Sequence, residues 1–224
     1  MRFSLMAAAL LLPAVGAAQT TVYTNTFENG VAGAAFSGAG TVLSTFGLSA
    51  FGFGAQHLKN DGTTASVLTL GGLASHSTMS LTFDLGMWDS IDFDNDIFQI
   101  KADGVNLFNG AFGNYVTPSG QCEGPGTVLT PPFTDFNIPN YGYNFNHDCA
   151  RHVTYSFAHS SSSAVFSWQY PNSQTAPDES FGIDNILVQT NAASPVTTTP
   201  EPSTYLLVAA GLGAMFAARR KVAR

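Results

Sequence analysis

Basic residues are the scarcest component of this sequence. Eight of its 224 residues are Lys or Arg, and five of those (Arg2, Arg219, Arg220, Lys221 and Arg224) sit at the two ends. Between the ends only Lys59, Lys101 and Arg151 face fourteen of the fifteen acidic residues, a net charge of −11. Such a surface repels nucleic acid and anionic lipid, which excludes both as partners of this stretch. It suits divalent cations and neutral or cationic partners. Aromatic residues make up 12% of the chain, so the acidity is not that of a disordered polyanion. Cysteine is reduced to Cys122 and Cys149, with no Cys-x-x-Cys pair. That excludes a four-thiolate zinc module and a disulfide-dense scaffold. Gly-x-Ser-x-Gly, His-Glu-x-x-His and a phosphate-cradling glycine loop are all missing. No stretch between residues 20 and 195 has helical periodicity with caps.

The ends carry topogenic signals. Arg2 gives a positive start, Leu5–Leu12 is an apolar run, and Pro13 breaks it. Val15-Gly16-Ala17-Ala18 then offers small residues for cleavage before Gln19, so residues 1–18 read as a secretory signal peptide. In an oxidising compartment the two cysteines are expected to form a Cys122–Cys149 disulfide. The rival reading is a metal site of Cys149 with His147 and His152.

At the other end, Pro200-Glu201-Pro202 precedes an uncharged segment of 16 residues, 203–218, and then the basic end 219–224. As a helix that segment is about 24 Å long. A hydrocarbon core is about 30 Å thick, so the helix spans with its arginines snorkelling to the far interface. Basic residues stay cytoplasmic, which leaves the body outside. Pro-Glu-Pro, apolar helix and Arg-rich end, in that order, resemble the PEP-CTERM sorting signal of Gram-negative bacteria that make exopolysaccharide. The resemblance covers 200–224. It implies that a membrane-embedded cysteine transpeptidase, the exosortase, reads Pro200, Glu201 and Pro202 and cuts at or near them. The membrane helix is then a feature of the precursor only.

Residues 19–191 read as one domain, large enough for a sizeable core. Met79, Leu81, Phe83 and Leu85 alternate with small or polar residues, as do Phe98, Ile100 and Ala102, Val153, Tyr155 and Phe157, and Phe166, Trp168 and Tyr170. Asp103-Gly104 is a turn, and Phe181–Val188 a mostly apolar strand. Period two with Gly, Asn and Pro punctuation predicts an all-β sandwich. Two zones look irregular, Gly30–Gly54 and the proline-rich Gly113–Asn146, and residues 192–199 form an extended linker.

Candidate sites follow the charge. Asp84, Asp89, Asp92, Asp94, Asp96 and Asp103 crowd into 20 residues. The spacing approaches an EF-hand loop and fails: Ile97 stands where Gly is needed, Asp103 where Glu is, and a strand follows. Phe27-Glu28-Asn29-Gly30 near the start and Asp178-Glu179-Ser180-Phe181-Gly182-Ile183-Asp184-Asn185 near the end resemble the paired first and last strands of secreted β-jelly-roll domains such as carbohydrate-binding modules. The resemblance implies a jelly-roll sandwich and a structural calcium on Glu28 and Asp184, with Asp178 beside them. Trp88, Tyr141 and Tyr143 are candidate glycan contacts, since flat apolar rings match sugar C–H faces. The five histidines form no triad or zinc set, and no catalytic residue is assigned. The expected role is a structural or glycan-binding component of exopolysaccharide or biofilm at the cell surface. The alternatives are a glycan-active jelly-roll enzyme, hydrolase or lyase, and a passive surface protein.

Overall fold

The structure is a computed structural model. It describes residues 18–45, 48–60, 63–89, 91–93, 96–114, 122–130, 148–171 and 179–191. The predicted signal peptide (save Ala18), linker, sorting signal and helix 203–218 lie outside them. So do Asp178, Tyr141, Tyr143 and the sorting-motif residues Pro200, Glu201 and Pro202. Among the described residues no helix is long and apolar enough to cross a membrane.

Twelve strands lie among the described residues: β1 Gln19–Asn25, β2 Phe36–Gly38, β3 Thr41–Ser44, β4 Gln56–Asn60, β5 Ser66–Gly71, β6 Thr78–Asp89, β7 Ile97–Ala102, β8 Val105–Ala111, β9 Thr127–Val128, β10 Cys149–Ala158, β11 Ser163–Gln169 and β12 Glu179–Asn191. One 3₁₀ turn, Leu48–Phe51, lies between β3 and β4. The strands form two antiparallel sheets. The larger has the order β3-β4-β12-β6-β10-β9 with β1 also on β12, and the smaller β2-β5-β11-β7-β8. The first and last strands therefore pair, Asn25 opposite Ile186 and Gln19 opposite Asn191.

The alternation read from sequence is the core. Met79, Leu81, Phe83, Leu85 and Met87 of β6 point between the sheets at 1% exposure or less, against Phe98 and Ile100 of β7 and Phe166 and Trp168 of β11. Phe98 is an aromatic hub, 4.6 Å from Tyr170 and 5.1 Å from Phe181, edge-on or tilted to both. Burying these side chains is the main stabilising term of such a body, at about 1.5–3 kcal/mol for each large one.

A second, smaller cluster sits on the outer face of the larger sheet: Leu48, Phe53, Trp88 and Ala150. The segment between β3 and β4 covers that face. Gly86 and Gly182, paired across β6 and β12, give the floor, because a Cβ on Gly86 would run into the Trp88 ring and one on Gly182 into the His57 ring. Trp88 is thus fully buried, with Phe53 and His57 against it at 6.4 and 5.4 Å. This corrects the expectation that Trp88 contacts glycan: its ring is spent on holding the covering segment. His57 is buried there too, and burial pushes it down to about 3, so it is neutral.

Cys122 and Cys149 form the expected disulfide, 27 residues apart. That bond, with His147 outside the described residues, leaves the alternative Cys–His metal set without its thiolate. Arg151, two residues on, donates to the carbonyls of Cys122, Pro125 and Gly126 and fixes the same turn.

Candidate functional site

Asp184 stands at an irregularity of the last strand. Its register partner across β6 is Asp84, and pairing slips between Asp184 and Leu187. The slip puts Asn185 in the left-handed region, φ 49°, which asparagine tolerates better than most residues. Asn185 turns its amide to Asp84 Oδ2 and to the Gly52 carbonyl, both at 2.7 Å. Asp184 itself is 0% exposed. Its oxygens accept from the backbone N–H of Asn185 at 2.7 Å and of Gly54 at 3.0 Å.

Glu28 reaches the same corner from the other end of the chain. Asn25 Oδ1 accepts from the Phe27 N–H at 2.8 Å, and the Phe27 carbonyl accepts from Gly30 at 2.9 Å, a tight turn that presents Glu28. The Glu28 carboxylate accepts from Gln56 N at 3.3 Å and lies so close over Gly54 that any side chain there would collide with it. Glu28 and Asp184 thus both lie against Gly54, and Asp84, which the sequence reading placed in another cluster, is the register partner of Asp184; these three carboxylates do not form a trio with oxygens within 4.8 Å of one another.

The electrostatics of this corner are unfavourable as they stand. Burial pushes the Asp184 carboxyl up from 3.8 to about 7. The two backbone N–H bonds pull it back, and the neighbouring Glu28 and Asp84 charges raise it further. Carboxylate oxygens are the donor type that hard divalent cations take.

Asp84 also holds His152 of β10, Oδ1 to Nδ1 at 2.6 Å. The carboxylate is buried, whereas the imidazole is half exposed. A carboxylate on Nδ1 fixes that nitrogen as the donor and leaves Nε2 as an acceptor toward solvent.

The remaining acidic residues separate. Asp92, Asp96 and Glu179 bring carboxylate oxygens within 4.8 Å of one another, the only such trio among the described residues. Asp96 and Glu179 are buried, and Asp96 accepts from the Asp92 N–H at 2.7 Å. Nothing in the spacing of residues 92 and 96 pointed to Glu179, which arrives from β12. Asp103, by contrast, closes the β7–β8 hairpin at φ 49° and turns to His159, 3.0 Å away. On the outer face of the smaller sheet, Gln169 donates to Gln99 at 3.1 Å and Gln99 to Asn109 at 2.9 Å, a row of amides across β11, β7 and β8.

Comparisons with known proteins bear on the tail more than on the body. Residues 198–221 match the family model described as the PEP-CTERM protein-sorting motif. No curated protein matches the chain. Among solved structures it is similar to the K1 cleaved adhesin domain of Lys-gingipain from Porphyromonas gingivalis W83, at 12% identity over 77% of this chain and 99% of that one, TM-score 0.49. It is similar to a family 35 carbohydrate binding module from Clostridium thermocellum, at 9% identity over 79% and 100%, TM-score 0.35. It is also similar to a xylan-binding domain from CBM 22, at 11% identity over 82% and 100%, TM-score 0.38. These three likenesses carry no functional argument. The chain joins an all-β body to a PEP-CTERM protein-sorting motif, and that motif marks it for secretion and sorting to the cell envelope or surface.

Proposed function

We propose that this is an exported protein whose tail is processed by an exosortase-type transpeptidase, and whose jelly-roll body is a non-catalytic, structural or glycan-binding component of extracellular polysaccharide. The sorting motif at 198–221 carries the reading. The amide row Gln169–Gln99–Asn109 supports glycan contact, since neutral amides both donate to and accept from sugar hydroxyls. The test is made on one preparation. The gene is expressed in an exosortase-bearing Gram-negative host, and the mature protein is weighed by intact mass spectrometry and then applied to matrix polysaccharide. The expected mass lacks residues 1–18 and everything beyond the Pro-Glu-Pro region, and the protein is retained on the polysaccharide. A mass that keeps Tyr205–Arg224 removes the processing step. Processing without retention leaves a passive surface protein.

Calcium belongs to the same proposal, with Glu28 and Asp184 as ligands and Asp84 beside them. Bound there, the ion would offset the mutual repulsion of these carboxylates. At a free concentration about a hundredfold above its Kd it adds about 2.7 kcal/mol. Chelator is then expected to lower the melting temperature by about 5–10 °C, and excess Ca²⁺ to restore it. A melt indifferent to both removes calcium from the proposal.

The second reading, a glycan-active enzyme, is favoured by one observation. Asp84 and His152 form an oriented pair with the imidazole open to solvent, the arrangement a general base requires. Unchanged polysaccharide chain length after long incubation with the protein argues against it.

A further inference from the structure

Three side chains that the proposed function does not use form a chain of their own. His76 Nδ1 lies 2.6 Å from the Ala74 carbonyl oxygen. His76 Nε2 lies 2.7 Å from His159 Nδ1. His159 Nε2 lies 3.0 Å from Asp103 Oδ2. The two rings are 13° from coplanar with centroids 4.9 Å apart. With nitrogen to nitrogen at 2.7 Å, they meet edge to edge in one plane rather than face to face. That is the geometry of an N–H···N hydrogen bond.

Counting protons shows what the chain requires. It has three gaps, and each needs one hydrogen. The Ala74 carbonyl only accepts, so His76 Nδ1 carries a proton. An ionised Asp103 only accepts, so His159 Nε2 carries another. Two neutral imidazoles have no further hydrogen to offer, and His76 Nε2 would face His159 Nδ1 lone pair to lone pair. The third gap closes only if the assembly holds one more proton, shared between the rings and balanced by the Asp103 charge. Both ring systems are nearly withdrawn from water, with His76 at 5% exposure and the His159 side chain at 6%.

The location gives this proton a consequence. Asn191, the last described residue before the tail, holds β12 down by accepting from Ser77 N at 2.9 Å and Thr78 N at 2.8 Å and donating to Ser77 Oγ at 2.8 Å. His76 is the residue before Ser77, and His159 N donates to the Ser77 carbonyl at 3.1 Å. Asp103 fastens the other sheet to the same point, accepting from Val165 N at 2.8 Å. The described residues that contact this group from the other elements are uncharged: Ser77 and Thr78 on the β6 side, Phe157 edge-on to His159 from β10, Val165 from β11 and Asn191 from β12. We propose that Asp103, His159 and His76 hold one shared proton and form a proton-dependent clasp over the point where β12 leaves the sandwich for the sorting tail. Protonated once, the clasp is closed. Raising the pH removes the shared proton and opens it, and acid strong enough to charge both rings sets N–H against N–H and opens it too.

Asp103→Asn isolates the proton. The amide oxygen can still accept from Val165 N, asparagine tolerates the left-handed backbone, and the new N–H fills the gap to His159 Nε2. Every gap then closes with neutral groups. The experiment follows amide-exchange protection of Ser77, Thr78 and Asn191 in the full mature chain from about pH 5 to about pH 9. Wild-type protection, corrected for intrinsic exchange, is expected to peak and then fall about tenfold toward high pH. Asp103→Asn is expected to hold it level. A flat wild-type profile, or a variant that keeps the wild-type fall, overturns the proposal. Should the variant not fold, imidazole ¹⁵N spectra of the wild type decide alone. Three nitrogen-bound protons on the pair at the protection maximum support the clasp, and two overturn it.

Discussion

Reduced, or carrying Cys122→Ala with Cys149→Ala, the body is expected to lose about 3.5 kcal/mol of stability in the chain-entropy account of a loop of this length. In a domain of this size that lowers the melting temperature by about 7–14 °C. The bond joins Cys149, where β10 enters the core, to Cys122, and the two sulfurs are almost fully buried. Between them lie residues 123–148, with Pro125, Pro131, Pro132 and Pro139. Opening the bond frees that excursion in the unfolded chain while leaving β6–β10 pairing untouched. Arg151 sets the limit on the effect. Its three bonds to the carbonyls of Cys122, Pro125 and Gly126 continue to hold the turn in the folded state, so native spectra should survive reduction at room temperature. The check is a thermal melt with and without reductant, with thiol titration of the denatured protein as control. Free thiols in the unreduced protein, or a melting temperature that moves by less than about 2 °C, would show that the bond does not constrain the chain.

Asp184→Asn, in chelator at pH 8, is expected to raise stability by about 2–3 kcal/mol, an unusual direction for a change at a fully buried side chain. The carboxyl is pushed up from 3.8 to about 7, first by burial. Between those two values the folded protein binds the proton and the unfolded chain does not. Stability therefore falls as pH rises through that window, at up to about 1.4 kcal/mol per pH unit and about 4 kcal/mol in all. An amide has no charge to bury. It keeps only one of the two bonds now accepted from Asn185 and Gly54, a loss of about 1 kcal/mol that reduces the gain. Below about pH 4 the unfolded chain is protonated as well, neither state carries the charge, and the advantage disappears. Under the calcium proposal, the ion is expected to reverse the order, stabilising the wild type and not the variant. Melts across pH 4–8, each with chelator and with Ca²⁺, read all four states. A variant less stable than wild type at pH 8 in chelator would mean that Asp184 ionises without cost, and would sink the account of this corner. Glu179→Gln, in the separate trio with Asp92 and Asp96, leaves the Asp184 profile unchanged if the two carboxylate groups are independent.

The parts of the fold that the residues announced are those governed by local rules. The alternation at 79–85, 98–102, 153–157 and 166–170 obeys the two-residue period of a half-buried strand, and Asp103-Gly104 makes the hairpin turn it spells. The pairing of β1 with β12 was legible because the ends of the body resemble the side-by-side first and last strands of secreted jelly-roll domains. What sequence could not convey was non-local. Trp88 lies on a strand position that would face solvent, and only the segment from Leu48 to Phe53, folding back over the sheet, removes it from water. His57 goes with it. The slip of register at Asp184, which aims Asn185 at Asp84, depends on how β12 is shared between β1, β4 and β6. His76 and His159 stand 83 residues apart, and each alone looks like any surface histidine.

The pairing of β1 with β12 also sets when this protein can fold. A chain threaded through a membrane pore emerges with its N-terminal end first, so β1 waits in the open for a partner about 160 residues behind it. β12 is not an edge but the member on which β1, β4 and β6 all converge. Until it has crossed, the larger sheet has no middle, and its unpaired strand edges are open to pairing with other chains. The sorting motif at 198–221 begins seven residues after β12 ends at Asn191. Closure of the body and arrival of the sorting tail at the bilayer thus fall within the same few seconds of synthesis, at about 5–20 residues per second.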